Sequence, residues 1–152
     1  MKDIITKVAQ LYPGTTFTAG KEFCWSFNAL TITYPTTSMP RELFIASLCH
    51  ELGHAECSHS TFSSDVHLMQ LEKQAWAEAA VIAQKVFDVT IPDTHIEKCL
   101  DTYRDWLYTR AVCPACKQCG VQFLSNKYRC IFCNTAWLVN QSRLCNVIKK
   151  RI

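Results

Sequence analysis

The stretch His50-Glu51-Leu52-Gly53-His54 carries more chemical information than any other part of the 152-residue sequence. On a helix, residues four positions apart lie on one face, one turn from each other, so His50 and His54 can present two imidazoles to one metal ion. Glu51 lies beside them, where it can accept a proton from a water molecule that the metal activates. The stretch therefore predicts a zinc site with its own general base.

The residues around this motif predict the helix that it needs. Pro40 suits a first helical turn, because its missing N–H is not required there, and Glu42 follows where the helix dipole favours an acid. Gly53 is small enough to let another element approach the metal closely. The alternative is a core helix with two incidental histidines, and the glutamate between them weakens it. Apolar residues recur near a period of 3.6: Leu43, Phe44, Ala46, Leu48 and Leu52.

A catalytic zinc needs a third protein ligand and an open fourth position. The downstream candidates are histidines and carboxylates: His59, Asp65, His67, Glu72 and Glu78. A metzincin pattern does not fit, because Cys57 and Ser60 stand at its glycine and histidine positions. Residues 66–87 predict a helix on which Glu72 lies in an apolar stripe, and a buried carboxylate is costly unless it is paired or binds metal. Glu72 is therefore the predicted third ligand, and Glu78, about 240° round the helix, is its competitor.

Five of the ten cysteines fall between residues 113 and 133, as C-x-x-C pairs and one extra residue. Pairs at this separation are typical of a zinc ribbon, in which four thiolates hold a structural zinc ion. The second pair is Cys130 and Cys133. The first pair is either Cys113 and Cys116 or Cys116 and Cys119. The Cys-Pro start favours the former, which we choose, and the glycine after Cys119 favours the latter.

Short segments around these pairs predict the ribbon itself. Residues 121–125 and 128–131 can form the hairpin that brings the two pairs together. Five cysteines lie outside the ribbon cluster of residues 113–133. We interpret them as small buried hydrophobic residues: Cys24, Cys49, Cys57, Cys99 and Cys145.

The rest of the chain predicts an α+β fold. Residues 2–12 read as an amphipathic helix, and a further helix begins at Thr94. Residues 23–27 and 30–34 predict a hairpin and hence a small antiparallel sheet. A strand just before the metal-binding helix could offer its free edge to an extended peptide, which would add as another strand.

Charge separates the chain into two parts. Residues 1–111 carry nine Lys and Arg against thirteen Asp and Glu, whereas residues 112–152 carry seven Lys and Arg and no acidic residue. We take this point as the boundary between a main domain, 1–111, and the zinc ribbon, 112–152. The end of the chain reads as a basic tail, Lys149 to Arg151, which suits contact with nucleic acid or with an acidic protein surface. The alternative is a solubilising tail without a specific partner.

Composition also bears on location. The sequence contains no run of 18 apolar residues, which argues against a membrane span. The first residues have no long apolar stretch and no small-residue cleavage site, so they do not read as a signal peptide. We expect a cytoplasmic protein, in which clustered cysteines are metal ligands rather than disulfides.

Together these motifs resemble the ImmA/IrrE-type metallopeptidases of phages and mobile elements. The resemblance rests on His-Glu-Leu-Gly-His, on Glu72 in Leu71-Glu72-Lys73-Gln74-Ala75-Trp76 about twenty residues later, and on Arg110 followed by the Cys-Pro-x-Cys ribbon. It covers roughly residues 20–135. One departure is Trp76, which stands where many members have Asp or Asn.

The resemblance implies a zincin-like, gluzincin-type fold in which Glu72 is the third zinc ligand. It also implies cleavage of a helix-turn-helix repressor in prophage, mobile-element or stress regulation. Two alternatives remain. One is a non-proteolytic zinc-bearing regulator that binds DNA or protein through the basic ribbon. The other is an SprT-like protease acting at DNA, a family whose third ligand is usually a histidine. Each interpretation expects two zinc ions per chain, one at the histidine motif and one in the ribbon.

Overall fold

The chain folds into an α+β structure that divides into two compact units. The computed structural model describes residues 1–141, 143 and 146–152. The first unit comprises Met1–Thr61 and Gln70–Ile96, and the second comprises Phe62–Met69 and Glu97–Ile152. Among the described residues, no helix combines the length and the apolar character needed to cross a bilayer. The predicted domain boundary after residue 111 does not coincide with the limits of these two units, and it stays a prediction.

The first unit begins with a helix and a three-stranded sheet. Helix α1 (Lys2–Leu11) buries Ile4 and Val8, as expected for the predicted amphipathic helix. The strands are β1 (Thr16–Gly20), β2 (Cys24–Ser26) and β3 (Thr31–Pro35), in the order β1-β3-β2.

This sheet corrects one prediction. The hairpin of β2 and β3 is antiparallel as predicted, but β1 pairs with β3 in parallel, so the sheet is mixed rather than antiparallel. The sequence of β1, Thr-Phe-Thr-Ala-Gly, buries none of its residues fully and shows no clean alternation of inward and outward positions. Because β1 pairs with β3 in parallel and is not joined to it by a tight turn, no turn motif in the sequence indicates this pairing. Strand β1 was therefore not predicted.

Helix α2 (Arg41–Glu56) carries the histidine motif and begins directly after Pro40, whose carbonyl accepts a hydrogen bond from the Phe44 N–H at 3.0 Å. A helix that is apolar round most of its circumference belongs in a core. Its buried residues fit that rule: Phe44, Ile45, Ala46, Leu48, Cys49, His50, Leu52 and Gly53. Phe44 also meets the rings of Phe23 and Tyr34 edge-on, with centroids at 5.2 and 6.3 Å. These contacts fix α2 against the sheet.

Two long helices follow, and each passes from one unit to the other. Helix α3 (Asp65–Phe87) matches the predicted helix to within one residue. Within the first unit it buries a stripe in which alanines alternate with larger residues: Glu72, Ala75, Trp76, Ala79, Ile82 and Ala83. Helix α4 (Asp93–Ala111) begins one residue before the predicted start at Thr94.

The second unit contains a four-stranded antiparallel sheet. Its strands are β4 (Gly120–Leu124), β5 (Lys127–Cys130), β6 (Ala136–Val139) and β7 (Lys149–Arg151), in sequence order. The β4–β5 hairpin was predicted, whereas β6 and β7 were not. The predicted basic tail is therefore corrected: Lys149 to Arg151 pair with β6 as a strand. Backbone hydrogen bonds form the ladder whatever the charge of the side chains.

A buried arginine organises the inner side of this sheet. Arg110 is fully buried; its Nε donates to the Tyr128 hydroxyl at 3.0 Å and its Nη1 donates to the Asn140 carbonyl at 3.1 Å. Asp65 lies 3.4 Å from the same guanidinium and also accepts a hydrogen bond from the Tyr128 hydroxyl. Trp137 is fully buried and donates its indole N–H to the Arg110 carbonyl at 3.0 Å. A buried guanidinium is tolerated because these partners satisfy it.

The scattered cysteines correct a further prediction. Cys49 is buried as expected, but Cys24 is exposed and Cys57 and Cys99 are only half-buried. Cys24 lies on the short outer strand β2, and Cys57 caps the end of α2, so neither position belongs to a core. Cys145 lies outside the described residues.

Candidate metal centre

The structure brings together the three residues predicted to bind the first metal. His50 and His54 come from α2, and Glu72 comes from α3. The two Nε2 atoms lie 3.2 Å apart, and Glu72 Oε2 lies 3.2 Å from His50 Nε2 and 3.6 Å from His54 Nε2. Glu78, the competing carboxylate, is not part of this group. The helical spacing therefore placed Glu72 on the correct face of α3.

The donor set fits zinc. Nitrogen and oxygen ligands about 2.0–2.1 Å from a tetrahedral zinc ion lie about 3.3–3.4 Å from one another, close to the three distances in this group. Glu72 Oε2 has no hydrogen-bond partner of acceptable geometry among the described residues, although it is buried. Two imidazole nitrogens and a carboxylate oxygen that face each other in this way offer three lone pairs to one point.

Glu72 is held in its ionised form. The residue is only 5% exposed, and burial alone would raise the pKa of its carboxyl group. The polar contacts of its Oε2 atom with His50 and His54, at 3.2 and 3.6 Å, outweigh burial and lower that pKa to about 2. An ionised carboxylate is the form that binds a metal cation.

Glu51 lies next to the donor set but faces β2. The backbone N–H of Trp25 donates to Glu51 Oε2 at 2.7 Å. Burial raises the pKa of Glu51, against the lowering effects of His50, His54 and the Trp25 N–H. A carboxyl group with a raised pKa is a stronger base than an exposed glutamate, which suits a proton acceptor.

A hydrogen-bonded chain runs behind His54. His54 Nδ1 lies 2.8 Å from His59 Nδ1, and His59 Nε2 lies 3.2 Å from Gln74 Oε1. Burial lowers the pKa of His59, which favours its neutral form. His59 was considered as a third ligand, but its nitrogens face His54 Nδ1 and Gln74 rather than the converging Nε2 atoms. Sequence reasoning missed this role, and the signal it had was a histidine three residues after the end of α2.

His50 is supported differently. Its ring stacks on Trp76, with centroids 4.3 Å apart and planes 26° apart. His50 Nδ1 has no hydrogen-bond partner among the residues that the structure describes. Trp76 in turn meets the ring of His95 edge-on at 5.6 Å. Trp76, the departure from the resembled family's pattern, thus supports His50 through its flat face.

The other two candidate ligands are engaged elsewhere in the second unit. His67 Nδ1 accepts a hydrogen bond from the Ser63 backbone N–H at 3.2 Å. Asp65 is bound to Tyr128 and Arg110, as described above. The structure places neither residue in the histidine and glutamate group.

The second possible metal site is formed by four cysteines of the ribbon: Cys113, Cys116, Cys130 and Cys133. The Sγ atoms of Cys113 and Cys133 lie 3.7 Å apart, and those of Cys116 and Cys130 lie 3.4 Å apart. Four thiolates about 2.3 Å from a tetrahedral zinc ion lie about 3.8 Å from one another, whereas a disulfide would need about 2.05 Å. These sulfurs therefore fit a zinc ion and not a disulfide.

The two cysteine pairs share one local geometry. The N–H of Lys117 binds the Cys113 carbonyl and the N–H of Asn134 binds the Cys130 carbonyl, both at 3.1 Å. Lys117 and Asn134 each follow the second cysteine of a pair and adopt left-handed φ values of 65° and 57°. Cys133 lies 3.2 Å from the Thr135 hydroxyl, which with the Thr135 backbone lowers the pKa of Cys133 to about 6 and favours its thiolate.

Cys119, the alternative member of the first pair, is exposed and outside this group. The glycine after it has a different reason to be there. A β-carbon on Gly120 would fall 2.5 Å from the Trp137 ring and 2.7 Å from the Arg129 carbonyl oxygen. Gly120 thus serves close packing of the sheet, and it is not a sign of a metal-binding turn.

Comparison with known proteins gives this chain no relative: no protein-family model, curated protein or solved structure matches it. The argument for the chemistry of the site therefore rests on its geometry.

Proposed function

We propose that the protein is a zinc-dependent endopeptidase. The observation that carries this proposal is the convergence of His50 Nε2, His54 Nε2 and Glu72 Oε2, with the carboxylate of Glu51 on the next residue of the same helix. Three protein ligands leave a fourth position for water or substrate, which is the arrangement of catalytic rather than structural zinc.

Each residue has a defined role in this proposal. His50, His54 and Glu72 hold the ion. Zinc bound there would polarise the scissile carbonyl and make water acidic enough to attack near neutral pH. Glu51 accepts the proton of the attacking water and then delivers it to the leaving amine. The Trp25 N–H holds one oxygen of Glu51 and so fixes the orientation of the base.

Strand β2 is the proposed place for the substrate backbone. It is an outer strand of its sheet, since β3 lies on only one side of it. Its middle residue, Trp25, directs its N–H to Glu51 rather than to β3, so this edge of the strand reaches the base. An extended peptide that added to this edge would pass beside the catalytic group.

The substrate and setting rest on the resemblance to ImmA/IrrE-type peptidases. We propose site-specific cleavage of a helix-turn-helix repressor in the cytoplasm, where the four-cysteine site stays reduced and loaded with zinc. The SprT-like alternative expects a histidine as third ligand. The approach of Glu72 to both histidines favours the glutamate.

The experiment is co-incubation of the purified two-zinc protein with the helix-turn-helix repressor encoded beside its gene, followed by mapping of the fragments. Glu51→Gln should abolish cleavage while the protein keeps two zinc ions, because it removes the base and no metal ligand. Glu22→Gln, at an exposed glutamate, is the matched control and should cleave normally. Full activity of Glu51→Gln would refute the peptidase proposal.

We propose a second function for the ribbon, namely binding of single-stranded nucleic acid on its outer sheet face. This face is defined by Val121, Phe123, Lys127, Arg129 and Lys150, whose side chains point away from the buried Tyr128 and Trp137. The Arg129 guanidinium lies 5.3 Å from the Phe123 ring, and that ring is 44% exposed. Exposed aromatic and basic side chains on one sheet face suit stacked bases and phosphates.

Charge decides between the possible occupants of this face. Residues 112–152 contain no Asp or Glu, so two copies of the face would repel each other. A polyanion with flat apolar bases suits both the positive charge of the face and the exposed Phe123 ring.

The test is fluorescence anisotropy with a labelled single-stranded oligonucleotide over a series of salt concentrations. Arg129→Ala with Lys150→Ala should lower the salt slope of log K by about 1.4, because two phosphate contacts are lost. The control pair Lys2→Ala with Lys21→Ala should leave the slope unchanged. Absence of binding at low salt, or binding of an acidic peptide instead, would overturn the nucleic-acid proposal.

A further inference from the structure

We propose that His59 is a positioning residue that holds His54 through its Nδ1 atom and thereby selects the nitrogen that His54 presents to the metal. The inference rests on the proposed zinc site. It concerns a residue outside the set of ligands and the base, and it begins from the way in which α2 ends.

The chain turns back at the end of α2, so that the backbone and the ring of His59 contact those of His54. The His59 N–H donates to the His54 carbonyl at 2.9 Å, and the Ser58 N–H donates to the Ala55 carbonyl at 3.0 Å. Ser58 adopts a left-handed φ of 54°. These two bonds with one left-handed residue are the Schellman pattern of helix ends. The turn places the imidazole of His59 beside that of His54, with ring centroids 5.0 Å apart.

The positions of the protons determine which group donates in each hydrogen bond between His54, His59 and Gln74. His54 Nε2 faces His50 and Glu72, so it must offer a lone pair if the group is to bind a cation. The proton of neutral His54 is then on Nδ1 and needs an acceptor, which is His59 Nδ1 at 2.8 Å. The proton of neutral His59 is consequently on Nε2 and is donated to Gln74 Oε1 at 3.2 Å. His54 therefore donates to His59, and His59 donates to Gln74, so each imidazole N–H has an acceptor.

The backbone of His59 is connected to the proposed base, Glu51, by hydrogen bonds of Trp25. The indole N–H of Trp25 donates to the His59 carbonyl at 2.9 Å, while the backbone N–H of the same tryptophan donates to Glu51. His59 is only 6% exposed, so its ring has little freedom to move. The same tryptophan therefore contacts both the residue that positions His54 and the residue that acts as base.

His50 provides the internal contrast. It has no hydrogen-bond partner at Nδ1 among the described residues and is held by stacking on Trp76. One ligand is thus oriented by a hydrogen bond and the other by a flat ring. Outer partners of metal-bound histidines fix ring orientation and the protonated nitrogen, and their loss typically costs about 10–100-fold in metal affinity.

The test compares His59→Leu with His59→Asn in the full chain, by competition of zinc with chelators of graded strength. His59→Leu should weaken zinc at the His50, His54 and Glu72 site by about 10–100-fold, because His54 loses its acceptor. His59→Asn should recover most of the affinity, because its Oδ1 can accept the same proton. His67→Leu, a histidine outside this group, is the control and should bind zinc normally. Zinc in the four-cysteine site should stay bound in every variant and serves as an internal reference.

Two results would overturn the proposal. The first is a folded His59→Leu protein, by circular dichroism, whose affinity for zinc stays within about twofold of the parent. The second is an equal loss in His59→Asn and His59→Leu, which would assign the effect to packing rather than to the hydrogen bond. Activity of Glu51→Gln would refute the peptidase proposal without affecting the zinc titration, so the two failures are distinguishable.

Discussion

The backbone of Ala75 in α3 lies against Gly53 in α2 so closely that a β-carbon on Gly53 would fall 2.3 Å from the Ala75 carbonyl oxygen. The neighbouring Ala75 carbonyl carbon and Cα would lie at 3.0 and 3.1 Å. Gly53 precedes His54, and Ala75 lies one helical turn after Glu72. The close approach of the two backbones at this point is what allows a carboxylate on one helix to reach imidazoles on the other.

Gly53→Ala should therefore destabilise the protein although alanine is the better helix former. Helix propensity favours the change by about 1 kcal/mol, but overpacking against rigid backbone costs about 1–3 kcal/mol and displaces Glu72. We expect a lower free energy of unfolding in urea together with weaker zinc binding. Gly14→Ala is the matched control, because a β-carbon there meets nothing within 4 Å. Equal stability of the two variants would contradict the packing argument.

Glu72→Ala should remove one zinc ion per chain. The loss of a direct ligand should exceed the about 10–100-fold loss typical of outer contacts. Metal analysis after treatment with a moderate chelator should give two zinc ions for the parent and one for Glu72→Ala. Glu78→Ala, on the same helix but outside the donor group, should retain two. Retention of both ions by Glu72→Ala would point to a histidine as third ligand.

The donor residues could be predicted because their information is local. A spacing of four residues places His50 and His54 on one helix face, and apolar neighbours mark the inward face that carries Glu72. The supports of the site could not be predicted in this way. His59 reaches His54 only through a left-handed residue, and Ser58 is an uncommon choice where glycine is usual.

The ribbon shows the same division between local and distant information. The C-x-x-C spacing indicated the four thiolates, and the hairpin was predicted from the two short segments, 121–125 and 128–131, that can bring the cysteine pairs together. Strand β7 was interpreted as a tail because Lys149-Lys150-Arg151 has no apolar alternation, and its pairing with β6 depends on backbone groups alone. Gly120 spoke for the pair that was not chosen, Cys116 and Cys119, because close packing against Trp137 and a tight turn both require glycine.

Glu51→Gln should stabilise the one-zinc protein, in which only the four-cysteine site is loaded. Burial raises the pKa of Glu51, so the folded protein binds this proton more tightly than the unfolded chain does. Ionised Glu51 therefore costs stability above its folded pKa, and the cost disappears as the pH falls through that value. At pH 7 the variant should be more stable than the parent, and its advantage should shrink as the solution is made more acidic. Urea unfolding at pH 7 and at a series of lower pH values measures this, with Glu22→Gln as control, and an unstabilised variant at pH 7 would contradict it.

Arg110→Leu should cost about 3–5 kcal/mol, because removing one partner of a buried ion pair leaves the other uncompensated. Asp65 would lose its cation, and the carbonyl of Asn140 would lose its donor. Arg110→Lys should not rescue the fold, since one ammonium group cannot reproduce the separate bonds of the guanidinium. Thermal unfolding of the full chain measures the loss. Arg104→Leu, whose ion pairs with Glu97 and Asp101 are exposed, is the control and should change stability little. An equally small effect of Arg110→Leu would show that the buried cluster does not hold the ribbon sheet in place.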